Sequence, residues 1–268
     1  MNNNVHPNQS NLTRPYYQLV GNEGDVFKAC HQSKLPILLK GPTGCGKSRF
    51  VDAMAFDLNT SLVTVSCNED TTASDLIGRF LIKGNETVWQ DGPLTRAIRS
   101  GAILYLDEVI EAREDVIVLI HSLTDYRRTL YIDALAEVIK APDSFQLVIS
   151  YNPGYQKSFK ELKPSTRQRF VSLEFQYPKN NIEIEIVSKE AKIEKAMATK
   201  LVNLSNKIRN LNELGLTESV STRLLVNAGV LMNNGLNPRF ACEVAIANSL
   251  TDDQDTIKAL NEIIALHI

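Results

Sequence analysis

The chain has 268 residues, a formal net charge of −2 and a pI near 6.1, which argue against a general nucleic-acid or membrane-surface binder. An apolar fraction of 43% with 22% charged residues is that of a soluble globular protein with room for one large domain and a smaller one. No apolar run approaches the ~20 residues of a membrane span, so no membrane insertion is expected. Four cysteines (Cys30, Cys45, Cys67, Cys242) and four scattered histidines give neither a disulfide frame nor a zinc site.

In chain order, the polar start MNNNVHPNQSN lacks the apolar core of a secretory signal, so residues 1–12 are expected to be a flexible tail and the protein cytoplasmic. A helix is expected from Asn22 or Glu23, with Val26, Phe27, Ala29 and Cys30 turned to a sheet. The apolar run from Pro36 to Leu39 reads as a first buried strand. It leads into Gly41-Pro42-Thr43-Gly44-Cys45-Gly46-Lys47-Ser48, and a helical stretch from Arg49 follows. The octet fits G-x-x-x-x-G-K-[ST]. Strand, glycine loop and helix N-terminus together make an anion site, because backbone N–H groups and the helix dipole converge where phosphates lie. Lys47 would reach the β- and γ-phosphates and Ser48 a Mg²⁺ ion. A thiol in such a loop, Cys45, is either an ordinary loop residue or an activated, oxidisable one.

Ser61–Ser66 is a second strand. The polar stretch from Asn68 to Pro93 is too long for a plain loop. It reads as a helix plus a hairpin over about residues 74–93, with apolar tip residues exposed around Phe80, Leu81, Ile82 and Lys83. Ala102–Leu106 is a third buried strand ending in Asp107 and Glu108. A continuously apolar strand belongs in a parallel sheet with its C-terminal end at the ligand edge, so these acids should lie beside the phosphate loop, roughly 60 positions away in sequence. A helix from Glu111 to Tyr126 follows, then a hairpin over about 126–140. Phe145–Tyr151 is a fourth strand, ending at Asn152. A short helix, the segment Ser165-Thr-Arg-Gln-Arg-Phe170 and a fifth strand, Phe170–Phe175, complete the α/β part.

Beyond Pro178 the pattern is helical. Ile186, Ile193, Met197, Leu201, Leu204, Ile208 and Leu211 trace one long amphipathic helix. Further helices start at Ser221, at Asn237-Pro238 and at Thr251, where Thr-Asp-Asp-Gln fits a capping box. An α/β domain over 13–176 and a helical domain over 177–268 are therefore expected.

Phosphoryl transfer to water is mostly a matter of placing charge and one water molecule. Mg²⁺ takes hard oxygen ligands, which Ser48 offers directly and Asp107 through water. Glu108, next along the strand and so pointing the other way, is assigned to polarise the attacking water; the alternative is a solvated acid at a strand end. Asn152 either bonds that water or the γ-phosphate, or merely starts the turn before Pro153. A cation on the far side of the γ-phosphate is missing. Arg167 and Arg169 are candidates for a finger supplied to a neighbouring subunit, and Arg223 for contact within the same subunit, against the alternative of solvated surface arginines.

Taken in order, GPTGCGKS, ILYLDE, the strand ending ISYN, STRQRF and the Ser221-Thr-Arg223 segment resemble the Walker A, Walker B, sensor 1, arginine-finger and sensor 2 elements of an AAA+ ATPase. The stretches Asp75–Gly78, Asp91-Gly-Pro-Leu94 and 127–140 resemble the MoxR branch. DEVIEAREDV, LVISYNPGYQ and LKPSTRQRF are similar to its CbbQ/NorQ/NirQ group. The resemblance implies a P-loop NTPase core with a five-stranded parallel sheet, order 5-1-4-3-2, and a smaller helical lid. It further implies ATP and Mg²⁺ as cofactors and a homo-oligomeric ring, a hexamer, with Arg169 or Arg167 reaching the next subunit's nucleotide. Phe80 to Lys83 would line the pore. A partner with a von Willebrand factor A domain, CbbO-like, is implied, with Rubisco as the client for CbbQ-type members and nitric oxide reductase for NorQ and NirQ types. Two other classes compete: a P-loop small-molecule kinase, and a nucleotide-dependent scaffold with little turnover.

Overall fold

Five short runs rich in Ile, Leu and Val make one parallel sheet in the computed structural model, which describes residues 13–153, 162–211, 216 and 218–268. The expected tail over 1–12 lies outside these residues, as does most of the stretch where a short helix was expected after Asn152. The strands are β1 (Ile37–Lys40), β2 (Leu62–Ser66), β5 (Ile103–Asp107), β8 (Gln146–Tyr151) and β9 (Val171–Glu174), in the order β2-β5-β8-β1-β9. Counted as first to fifth core strands, that is the expected 5-1-4-3-2. β8 is buried along its whole length, and β1 and β5 up to their last residue, so these runs are continuous rather than alternating. The register pairs Lys40 with Tyr151 and Leu106 with Ile149, which brings the C-terminal ends of β1, β5 and β8 to one edge.

Helices α1 (Glu23–Gln32) and α2 (Lys47–Asp57) pack together through Phe27 and Phe50, whose rings meet edge to face at 5.5 Å. Phe27 and Cys30 are buried as the periodicity requires, but Ala29 is exposed. The stretch after β2 forms α3 (Ala73–Ile77), closed by a reciprocal Thr72/Asp75 capping box, and the antiparallel hairpin β3 (Gly78–Lys83) and β4 (Glu86–Asp91). Gly84, at φ 64°, opens its two-residue turn. Helix α4 (Pro93–Ser100) returns the chain to β5.

The helix expected over 111–126 is shorter. A 3₁₀ turn, Val109–Glu111, precedes α5 (Glu114–His121), and the chain leaves the helix where the Ser122 and Thr124 hydroxyls donate to the carbonyls of Leu119 and His121. The hairpin β6 (Thr129–Ile132) and β7 (Glu137–Lys140) follows, and α6 (Pro164–Arg167) sits just before β9.

The chain divides into two units, residues up to Gly41 with Lys47–Glu174, and Pro42–Gly46 with Phe175–Ile268. In the second unit the expected long helix is two, α7 (Asn180–Ala191) and α8 (Lys195–Arg209), because Lys192 turns left-handed at φ 53° and ends α7. Helix α9 (Thr222–Asn233) is N-capped by Ser221, and α10 (Pro238–Cys242) has proline in its first turn. It continues through a π turn, Glu243–Ala247, into α11 (Asn248–Leu250). Helix α12 (Gln254–His267) is capped by Asp253, two residues beyond the expected Thr251; the Thr251 hydroxyl instead accepts from the Asp253 N–H.

Candidate nucleotide site

At the edge where β1, β5 and β8 end, side chains from the ends of β5 and β8 and the start of α2 converge with the backbone that follows β1. Lys47 is buried, and its ammonium donates to the Gly41 carbonyl at 2.8 Å and to Asn152 Oδ1 at 2.6 Å. The other face of the same amide donates from Nδ2 to Glu108 Oε1 at 3.2 Å. Asn152 thus stands between the lysine and the glutamate, its oxygen toward the donor and its nitrogen toward the acceptor.

Asp107 is held from both sides. Ser48 Oγ donates to its Oδ2 at 3.1 Å, and the hydroxyls of Tyr105 and Ser150 donate to its Oδ1. Burial, then the Asp107 charge, pushes the Tyr105 phenol far up, so it remains a donor. The same two causes, joined by the charge of Glu108, push the neighbouring buried thiol of Cys67 up to about 12 and leave it a neutral, inert group. Tyr105 and Ser150 are absent from the sequence-derived set. The signal for them is a hydroxyl inside an otherwise apolar buried strand, with Tyr105 two residues before Asp107 and therefore on its side of the sheet.

Glu108 departs from the expected geometry. It is not the next residue of a strand but lies in the left-handed region, φ 53° and ψ 45°, at the head of the 3₁₀ turn, and its N–H donates to Ser150 Oγ. A non-glycine residue is strained there, and such strain concentrates at functional sites. The turn carries its exposed side chain toward Asn152 rather than simply to the opposite face of the sheet.

In the loop, Gly44 and Gly46 take φ of 69° and 101°. Gly44 has a second constraint: a Cβ there would lie 2.7 Å from the Ser221 side chain and 3.2 Å from Cβ of Arg223. Pro42 and Thr43 are half-buried and Cys45 is buried. Arg223 is exposed at the start of α9. Arg167 is half-buried and Arg169 exposed, and among the described residues neither makes an ion pair. Both follow Thr166, which is wholly buried and hydrogen-bonded to His121 Nε2 at 3.0 Å. Phe80 and Ile82 lie on one face of the β3–β4 hairpin, 49% and 82% exposed, with Leu81 half-buried and Lys83 exposed.

Comparison with known proteins agrees with this geometry. Residues 36–170 match the AAA domain (dynein-related subfamily), and residues 183–267 match the CbbQ/NirQ/NorQ C-terminal domain. The chain belongs to the CbbQ/NirQ/NorQ family of AAA+ ATPases. It is 54% identical to protein CbbQ of Hydrogenophilus thermoluteolus over 92% of this chain and 93% of the relative. Protein NorQ of Paracoccus denitrificans is 53% identical, covering 94% and 93% respectively. Denitrification regulatory protein NirQ of Stutzerimonas stutzeri is 49% identical, covering 94% and 92%. The three are about equally close. The RuvB Holliday junction branch migration motor of Thermotoga maritima shares the fold at a TM-score of 0.52 and 17% identity, over 90% of this chain and 67% of that one. Among the described residues, no helix is long and apolar enough to cross a membrane.

Proposed function

We propose that the protein is an ATP-hydrolysing ring motor that works with a von Willebrand factor A-domain adaptor, CbbO-like, to remodel Rubisco and release inhibitory sugar phosphates from it. The observation that carries the hydrolytic part is the Lys47–Asn152–Glu108 chain of hydrogen bonds beside the Ser48–Asp107 pair. A lysine in a glycine loop supplies charge for the β- and γ-phosphates. Glu108, oriented by the Asn152 amide, is the group that takes the proton of an attacking water. An alcohol oxygen 3.1 Å from a carboxylate oxygen is a hard-oxygen pair that fits Mg²⁺, with Ser48 as direct ligand and Asp107 through water. When bound, the ion would neutralise charge between the phosphates.

The cation needed on the far side of the γ-phosphate is assigned to Arg169 or Arg167 of a neighbouring subunit in a hexameric ring, and Arg223 to the same subunit's nucleotide. Phe80 to Lys83, exposed at the hairpin, are assigned to the pore. The near-equal identity to NorQ supports a second reading, in which the client is nitric oxide reductase. A kinase would need a phosphate acceptor, and a scaffold would act without turnover.

Phosphate release with no acceptor present separates these readings. The unsubstituted protein should turn over ATP, and Lys47→Ala and Glu108→Gln should each abolish it. Near-normal hydrolysis in both variants would sink the assignment. Inhibited Rubisco should regain carboxylation with the protein, its adaptor and ATP; recovery of nitric oxide reductase instead would move the client to the second reading.

A further inference from the structure

A buried ion pair in the second unit involves two residues that belong to none of the motifs described above. Glu183, on α7, is wholly buried. Its two oxygens receive a bidentate pair of hydrogen bonds from Arg209, at the end of α8, at 2.7 and 2.8 Å. Arg209 Nε donates to the Val220 carbonyl at 2.8 Å, and Thr222 Oγ1 donates to Glu183 at 2.6 Å. The guanidinium also lies over the Tyr177 ring, 4.2 Å from its centroid.

An ion pair buried this deeply gains little net stability over an apolar set of the same shape. Its value lies in what the geometry fixes. The bonds to Val220 and Thr222 bracket Ser221, the N-cap of α9 and the residue packed on Gly44, and they end one position before Arg223. The stacked Tyr177 donates its hydroxyl to the Thr43 carbonyl at 3.2 Å. One guanidinium therefore orders two segments that both touch the phosphate loop.

We propose that Glu183 and Arg209 form a positioning clamp for the nucleotide, acting through Tyr177 on the loop carbonyl of Thr43 and through the 220–222 segment on the placement of Arg223. This rests on the reading of Gly41–Ser48 as a nucleotide site. None of the three side chains touches the nucleotide; they set the shape of the groups that do. The planar, bidentate and stacked roles are ones that lysine cannot fill.

The test uses Tyr177→Phe, which keeps the stacked ring and removes only the hydroxyl, together with Arg209→Lys and Arg223→Ala. Binding of a fluorescent ATP analogue, steady-state hydrolysis and thermal melting are measured on each. Tyr177→Phe should melt like the unsubstituted protein yet lose about three- to tenfold in kcat/KM, the size of one positioned hydrogen bond. Arg209→Lys should lose more, and its loss should shrink when Arg223 is already alanine, because both act on one group. Folded Tyr177→Phe with unchanged kinetic constants and affinity overturns the clamp, even if Arg209→Lys fails to fold. If the unsubstituted protein binds no analogue, the nucleotide reading falls first and takes the clamp with it.

Discussion

Asn152 carries two opposite demands in one amide, because its oxygen serves a cation and its nitrogen a carboxylate. Replacement by aspartate keeps the size and the bond to Lys47 but turns a carboxylate toward Glu108. Like charges this close raise one partner's pKa and spoil the base. Asn152→Asp should therefore reduce kcat more than Asn152→Ala does, by about tenfold or more, and the acid limb of its rate profile should move to higher pH. Equal losses in the two variants would show that the amide nitrogen has no orienting role. His121 offers a second residue-scale test. Its burial, then the positive charges of Arg169 and Lys163, lowers its proton affinity below the ordinary 6.5. The unfolded chain then binds that proton more readily, so the folded state is at full strength above the ordinary value and weakens as pH falls through it. Melting temperatures between about pH 7 and 5 should drop in the native protein and drop less in His121→Gln, which keeps a hydrogen-bonding group for Thr166. A parallel drop in both would remove His121 from the account.

The glycine loop is the element on which the most constraints meet. Alanine at Gly44 would hold a left-handed φ at a cost of about 1–2 kcal/mol. Its Cβ would also meet Ser221 at 2.7 Å, a distance that forces the loop or the start of α9 to move. Gly44→Ala should therefore weaken nucleotide affinity well beyond its effect on melting. Pairing it with Ser221→Gly should restore part of the loss by relieving the contact but not the φ. No recovery of affinity in the pair would mean that backbone conformation alone governs the position. The core strands were legible because continuous apolar runs of four to six residues admit few other readings. Helix ends were less so. The break at Lys192 has no glycine to mark it, and Asp253 outcompetes Thr251 for the cap from two positions away. At the site, Gly41 to Ser48, Asp107 and Asn152 could be placed from spacing at strand ends. The left-handed turn at Glu108 could not, having no glycine to mark it, and the Ser150 hydroxyl could not, since it depends on the register of β8 beside β5; the Tyr105 hydroxyl was marked only by its place two residues before Asp107. Glu183 and Arg209 are 26 residues apart on separate helices, a spacing that carries no signal at all.

In the proposed hydrolysis, the charge that builds on the γ-phosphate needs a cation on the side away from Lys47 and Ser48. An arginine in that role is worth about 10³–10⁵ in rate. Arg169 is exposed on a segment tied to α5 through the hydrogen bond between the buried Thr166 and the half-buried His121, which leaves its side chain open to a second copy. If that copy is the next subunit of a ring, defects in Glu108 and Arg169 belong to different subunits of one site. Glu108→Gln and Arg169→Ala proteins should each be inactive alone. Mixed at equal amounts and allowed to exchange, about a quarter of the interfaces would combine an intact Glu108 with an intact Arg169. Hydrolysis should recover to a corresponding fraction of the unsubstituted rate and should vanish on dilution below the assembly concentration. The same mixture made with Arg167→Ala identifies which arginine crosses the interface. No recovery with either, at concentrations where light scattering shows mixed rings, would place the missing cation within the subunit and make Arg223 the group to test.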